Sequence, residues 1–153
     1  YTPAANYFGQ DVFTYKFTNG SLMSNIATVT ITVNAVNDPP SITAAVGISR
    51  QQAAGASNSQ IATVSDVEDA AGSLTIAIDG ASIVNGVTVS NIAVDSNGNV
   101  TADVSAACGA TSASFTLKVT DSGNLMATAA LNVTVTPETT PPAINPISNI
   151  TVQ

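Results

Sequence analysis

The side chains with the most chemical potential in this chain are its carboxylates, and part of them cluster. The chain has ten acidic residues, and three of them fall in the short sequence Asp66-Val67-Glu68-Asp69. Carboxylate oxygens are ligands for hard dications, and paired carboxylates can also act as the acids of a hydrolase. A short acidic run is equally typical of a solvated turn. At the level of this turn alone, all three interpretations remain open.

Other common kinds of catalytic chemistry are excluded by composition. The chain has no histidine, so serine triads, histidine metal centres and imidazole acid–base catalysis are excluded in this segment. Cys108 is the single cysteine, which rules out an internal disulfide or a zinc site, and we predict it to be a small buried apolar residue. No pattern builds a pocket around the carboxylates. We therefore do not expect an enzyme.

The overall charge restricts the partners. Charged residues make up 8% of the chain against 44% hydrophobic residues, and the net charge is −7. A surface of this sign repels nucleic acid and anionic membrane and attracts cations. No run of eighteen apolar residues occurs, so we predict no membrane span. The composition indicates a location outside the cytoplasm.

A stretch of thirty residues occurs twice. Residues 13–42 read FTYKFTNGSLMSNIATVTITVNAVNDPPSI and residues 115–144 read FTLKVTDSGNLMATAALNVTVTPETTPPAI, so equivalent positions are 102 residues apart. A period near 100 residues is typical of arrays of immunoglobulin-like sandwiches. We predict the C-terminal part of one module at 1–38, a complete module at 39–140 and the first strand of a third at 141–153. The chain would be a window on a longer tandem protein, or a short chain completed by neighbouring copies.

Alternating apolar and polar residues predict an all-β antiparallel sandwich of short strands. Asn85-Gly86 and Asn97-Gly98 are hairpin signals, and the switch of alternation at Ser90-Asn91 predicts a bulge. The predicted strands before these turns are residues 11–18, 27–33, 41–47 (followed by a loop through 58), 60–65 and 74–78. After the first hairpin signal the pattern predicts strands at residues 87–94, 100–104, 115–119 and 129–135.

Two features of the predicted first module concern its surroundings. Phe13, Tyr15 and Phe17 share one face of a strand, and a two-stranded hairpin is marginally stable on its own. Something outside this hairpin must therefore cover that face. The Asn37-Asp38-Pro39-Pro40 sequence then predicts a short, stiff hinge, because proline fixes φ.

Three stretches of sequence resemble a known class of repeats. The opening YTPAANYFGQDVFTYKF, the linker VNDPP and the segment SDVEDAAGSLTIAI are similar to cadherin-type repeats, and still more to the cadherin-like and immunoglobulin-like tandem repeats of large bacterial surface proteins. The resemblance extends over nearly the whole chain. It implies an extracellular sandwich in long arrays, with calcium at the junctions between modules.

The resemblance also implies a set of calcium ligands. They come from an Asn-Asp linker, an acidic turn and an aspartate in the last hairpin, which here are Asn37, Asp38, Asp66, Glu68, Asp69 and Asp121. Glutamate replaces the second aspartate of the turn. The second junction, Glu138 to Pro142, lacks the Asn-Asp pair, so we expect weak or no binding there.

Electrostatics supports a cation if these carboxylates converge. At an effective dielectric near 20, each pair about 5–6 Å apart repels by roughly 3 kcal/mol. Several pairs would rival the stability of a whole domain, about 5–15 kcal/mol. A convergent cluster therefore calls for a bound dication.

The leading hypothesis is a structural or adhesive segment of an extracellular fibre, stalk or surface filament. Its partners would be neighbouring modules or copies of itself, and other surface proteins or glycans. The alternative is a spacer or carbohydrate-binding accessory module of a large secreted enzyme. Sugar binding usually needs exposed aromatic side chains, and Phe115 is the one aromatic residue of the complete module.

Overall fold

The computed structural model describes residues 1–139, and their regular structure is strand apart from one 3-10 turn at Ala71–Ser73. The predicted strand of a third module, residues 141–153, lies outside the described residues. The all-β class is confirmed. In chain order the strands are β1 (Gly9–Tyr15), β2 (Ala27–Val33), β3 (Ser41–Ala44), β4 (Ile48–Gln51), β5 (Ser57–Ser65), β6 (Thr75–Ile78), β7 (Ile83–Val84), β8 (Val87–Val94), β9 (Asn99–Ala106), β10 (Ala113–Thr120) and β11 (Met126–Thr136).

Strands β1 and β2 form a two-stranded antiparallel sheet. β2 has the predicted bounds, whereas β1 ends at Tyr15 rather than at residue 18. The reason is that the amide of Phe17 donates to Ser24 Oγ, 2.9 Å away, instead of to a ladder carbonyl. An isolated bridge between Thr18 and Met23 then closes the turn.

The remaining strands form two sheets that share one hydrophobic core. Their orders are β3-β5-β9-β8-β7 and β4-β11-β10-β6. Every second residue of β9 and the four odd-numbered residues of β10 are buried in this core, because successive side chains of a strand point to opposite faces. The predicted β-sandwich is confirmed. Its most buried large side chains are Ile61, Val87, Val89, Val100, Val104, Leu117, Val119, Leu131 and Val133.

The repeat in sequence is also a repeat in strand pairing. Phe13 pairs with Val29 in the β1–β2 ladder, and Phe115 pairs with Leu131 in the β10–β11 ladder. Both members of the second pair stand 102 residues after their counterparts. The two hairpins therefore use the same register.

The predicted turns and bulge are present. Val84 pairs with Val87 across Asn85-Gly86, and β8 is joined to β9 through the turn that holds Asn97-Gly98. The β8–β9 register shifts between Ser90 and Ala93, where the alternation of apolar residues changes phase.

The prediction of a single strand at 41–47 followed by a loop is wrong. The chain forms two strands in different sheets, with β3 antiparallel to β5 and β4 parallel to β11. β4 is short and polar, and its position is held by contacts with residues that are distant in sequence. From β4, Arg50 donates to the carbonyls of Val104 and Ser57 in the opposite sheet, each at 2.9 Å.

The prediction that Cys108 is buried is also wrong. Its thiol-bearing side chain is exposed, because the inward alternation of β9 ends at Ala106. The residues that follow form a turn, in which Ala110 N donates to Ala107 O at 3.1 Å and Gly109 has φ +75°.

Candidate metal centre

The acidic turn follows directly on the end of β5 and is folded by its own first aspartate. Asp66 Oδ1 accepts the backbone N–H groups of Glu68 at 2.9 Å and Asp69 at 2.8 Å, which is the usual way an aspartate caps a turn. Asp66 Oδ2 is buried and has no hydrogen-bond partner among residues 1–139. Burying a carboxylate oxygen without a partner costs free energy. A cation bound to Asp66 Oδ2 would remove that cost, and the oxygen is free to accept one.

Asp121 supplies a second carboxylate, at the end of β10. Its residue is only 6% exposed. Asp121 Oδ1 accepts the N–H of Leu125 at 2.8 Å within the β10–β11 turn, and Asp121 Oδ2 accepts Asn37 Nδ2–H at 2.8 Å. The hairpin aspartate is therefore in direct contact with the linker.

The linker also contacts the acidic turn. The backbone N–H of Asp38 donates to Glu68 Oε2 at 3.1 Å. The residue Pro40, at the end of the linker, is buried. The linker thus passes between the acidic turn and the β10–β11 hairpin and is hydrogen-bonded to both.

The acidic turn and the hairpin are joined to each other as well. Asp69 Oδ2 accepts the N–H of Ser122 at 2.7 Å, and Asp69 Oδ1 accepts its hydroxyl at 3.0 Å. Ser122 is the neighbour of Asp121. Linker, turn and hairpin therefore form one closed circuit of contacts.

Four of the six residues named from the resemblance come together in two pairs, Asn37 with Asp121 and Asp38 with Glu68. Asp69 contacts Ser122, the residue beside Asp121, and Asp66 caps its own turn. Within residues 1–139, however, no three His, Cys, Asp or Glu side chains form a group arranged to hold a metal ion. The donor oxygens and the unpaired Asp66 Oδ2 fit a hard dication in chemistry. The arrangement is a neighbourhood of ligands and not a closed cage.

Two residues of this neighbourhood were not anticipated. Ser122 binds Asp69, and Gly123 gives room to the linker, since a Cβ placed on Gly123 would lie 2.6 Å from Asn37 Nδ2. The signal was the sequence Asp-Ser-Gly-Asn after β10, which reads simply as a turn. Sequence alone does not reveal which distant side chain lies over that turn.

The second junction is only partly described. Glu138 and Thr139 are exposed, and residues 140–142 lie beyond the described part of the chain. The prediction of weak binding there stays a prediction.

The two surface cavities do not support the hydrolase interpretation, because a hydrolase needs a cavity next to its carboxylates. A surface cavity of about 220 Å³ is lined by Tyr1, Thr2, Pro3, Ala4, Tyr7 and Asp11. Another, of about 300 Å³, is lined by Phe17, Thr18, Asn19, Leu22, Met23 and Ser24. The residues of the acidic turn line neither cavity.

Comparison with known proteins found one family profile and solved structures of similar fold. The profile of the bacterial Ig domain family matches residues 1–32. The protocadherin GammaB4 extracellular domain has a similar fold, with a TM-score of 0.56 and 15% sequence identity over 88% of this chain. The expected resemblance is confirmed. The chain spans 22% of the length of that protocadherin structure, and no curated protein matches its sequence.

The likeness supports some general statements about such domains. An immunoglobulin-like or cadherin-like domain fits a structural or adhesive repeat, and domains of these kinds are generally non-enzymatic. They are typically extracellular or surface-exposed, and cadherin-like domains commonly associate with neighbours or with each other. Within residues 1–139, no helix is long and apolar enough to cross a membrane.

Proposed function

We propose that the chain is a non-enzymatic structural or adhesive segment of an extracellular fibre, stalk or surface filament. On this proposal residues 1–38 end a first module, 39–140 form a complete second module, and 141–153 begin a third. The identical register of the β1–β2 and β10–β11 ladders, offset by 102 residues, supports the division. Neighbouring modules or copies of the chain are the expected partners, with other surface proteins or glycans beyond them.

The observation that carries the proposal is the fastening of the linker. Asn37 is bonded to Asp121 on one side and Asp38 to Glu68 on the other. A linker held at two points, with Pro40 buried after it, resists bending better than a free one. Resistance to bending is the property that a projecting array of modules needs.

We further propose that calcium strengthens this junction through Asn37, Asp38, Asp66, Glu68, Asp69 and Asp121. The buried, unpaired Asp66 Oδ2 and the 6% exposed Asp121 support this site. When bound, calcium would supply the positive charge that offsets repulsion between the carboxylates. Extracellular modules bind calcium with Kd values of about 10⁻⁴–10⁻³ M, so the site would fill outside a cell.

Thermal unfolding tests the calcium site. At a free calcium concentration 100 times the Kd, the ion would add about 2.7 kcal/mol to the unfolding free energy. The full chain should therefore melt at a higher temperature in calcium than in chelator. Asp66→Ala should abolish this difference, because it removes the unpaired oxygen.

Glu138→Ala is the matched control, since Glu138 is exposed and lies at the junction without the Asn-Asp pair. It should leave the calcium effect unchanged. Coincident melting curves in calcium and chelator would show that the acidic turn is only a solvated loop.

The alternative of a carbohydrate-binding accessory module finds less support. Tyr1, Tyr7, Phe13, Tyr15 and Phe17 are exposed and could form a sugar platform. Yet the positions equivalent to the last three are Phe115, Leu117 and Val119, which are at most 3% exposed in the core. The aromatic face is therefore better explained as the inner face of a sandwich.

A further inference from the structure

The turn between β10 and β11 has a recess that only glycine leaves open. A Cβ on Gly123 would lie 2.6 Å from Nδ2, 2.8 Å from Cγ and 3.1 Å from Oδ1 of Asn37. The first two distances are shorter than real non-bonded contacts of a Cβ atom, so any side chain there would push the Asn37 carboxamide away. Gly123 does not have a positive φ, which means that its role is to leave space and not to permit an unusual backbone.

The recess places the linker within reach of two carboxylates. With its carboxamide over Gly123, Asn37 donates to Asp121 Oδ2 at 2.8 Å. The next residue, Asp38, donates its backbone N–H to Glu68 Oε2 at 3.1 Å. The acceptor is a carboxylate, which strengthens the hydrogen bond. Asp121 is 6% exposed and Asn37 is exposed, so the bond is partly buried. Both bonds join protein groups to each other directly.

The repeat shows that this arrangement is not a general property of the modules. At the 102-residue offset, Asn19 stands where Asp121 does, Ser21 where Gly123 does, and Thr139 where Asn37 does. The first hairpin therefore has neither the carboxylate nor the recess, and the second linker lacks the carboxamide.

We propose that Asn37 and Asp38 dock onto the second sandwich by direct hydrogen bonds that do not require a cation, and we call this contact the latch. Gly123 decides whether the latch forms, because it leaves the space that the Asn37 carboxamide occupies. The hydrogen bonds position the linker before any ion binds, and a bound ion then stabilises the same linker position further. The docking stands on its own contacts, and its use as a stiffening device rests on the proposed function. Junctions of the array would thus differ, some latched by side chains and others not.

Amide exchange of the full chain in chelator tests the latch. In the wild-type chain the backbone amide of Asp38 and the side-chain amide of Asn37 should be protected. Gly123→Ala should remove the protection of both. Gly55→Ala is the matched control, because Gly55 also lacks a positive φ and its Cβ would meet no atom within 4 Å. It should leave the protection unchanged.

A second variant guards against a folding defect in Gly123→Ala. Asn37→Asp keeps the turn intact but replaces the donor with a like charge beside Asp121, and it should also remove the protection of the Asp38 amide. Retained protection in β10, at Phe115, verifies that each variant is folded.

The two experiments test the latch and the calcium site independently. Protection of Asp38 that appears only when calcium is added would overturn the latch and leave the calcium proposal standing. Protection in chelator together with no calcium effect on melting would support the latch and remove the calcium site. Equal protection in Gly123→Ala and Gly55→Ala would overturn the role of Gly123.

Discussion

The carboxylates of this chain differ more in their partners than in their local sequence. Asp121 is buried against the linker, whereas Asp103 lies on the outer face of β9 and accepts from Asn91 at 2.8 Å and from Asn58 at 3.2 Å. The acidic turn is visible in the sequence as a run of carboxylates, and the resemblance to cadherin-type repeats supplied the other candidate ligands. The pairings, Asn37 with Asp121 and Asp38 with Glu68, depend on the closed fold. The space at Gly123 is likewise invisible in sequence.

Asp103 gives a prediction at this scale. The side-chain hydrogen bond from Asn91, followed by that from Asn58, lowers the pKa of Asp103, because both donors favour the charged form. Asn91→Ala should raise that pKa toward the ordinary value of an aspartate, and Asn58→Ala should raise it less. Carbon-detected NMR titration of the Asp103 carboxyl measures both shifts.

The sign of the pH dependence follows from the lowered pKa. The charged Asp103 stabilises the fold at pH values above the pKa it has in the unfolded chain, and this contribution is lost as pH falls through the lower folded-state pKa. Asn25→Ala is the control, since Asn25 lies in the β1–β2 loop. A pKa of Asp103 that is the same in Asn91→Ala as in the wild type would contradict the assignment.

At the scale of elements, strands with a regular alternation were predictable and those held by distant contacts were not. β2, the Asn85-Gly86 hairpin and the bulge after Ser90 follow from local pattern and turn chemistry. β4 exists because β11 and the Arg50 hydrogen bonds hold it, so its own four residues carry little signal. Context of this kind commonly decides whether a short segment becomes a strand.

The repeat offers a comparison of one residue type in two settings. Phe115 is 3% exposed in the core, and Phe13, its equivalent in the first hairpin, is 51% exposed. Phe115→Ala should lower the free energy of unfolding of the sandwich by about 3–5 kcal/mol, as expected for a buried phenylalanine. Phe13→Ala should change it by no more than about 0.5 kcal/mol, as for a surface position.

Urea denaturation followed by circular dichroism compares the two variants directly, with the wild-type chain as reference. Similar losses in both would mean that Phe13 is covered in solution. That result would contradict the exposure of Phe13 on the β1–β2 hairpin.

At the scale of the whole molecule, residues 1–139 contain a sandwich of two sheets and a hairpin of the same register that is not covered by a second sheet from those residues. The inner face of β10–β11 is covered by the five-stranded sheet. The corresponding face of β1–β2 is open, with Phe17 73% exposed. Sequence predicted this imbalance because aromatic residues at alternating positions demand a cover. It could not indicate what supplies that cover, because the covering strands are distant in sequence even in the complete module.

The imbalance predicts how the two hairpins exchange their amide hydrogens in a monomer. In the described part of the chain, no packed core covers the β1–β2 ladder between residues 9 and 33, so it should open readily and exchange fast. The β10–β11 ladder has the same register but buries Phe115, Leu131 and their neighbours, so it should exchange only when the sandwich unfolds. Hydrogen exchange of the full chain, with the monomeric state verified by sedimentation, compares each amide with its equivalent 102 residues away. Protection of 9–33 that grows with protein concentration would identify a second copy as a cover. Slow exchange throughout 9–33 in a verified monomer would show that the hairpin is stable alone, and the need for a covering sheet would then be refuted.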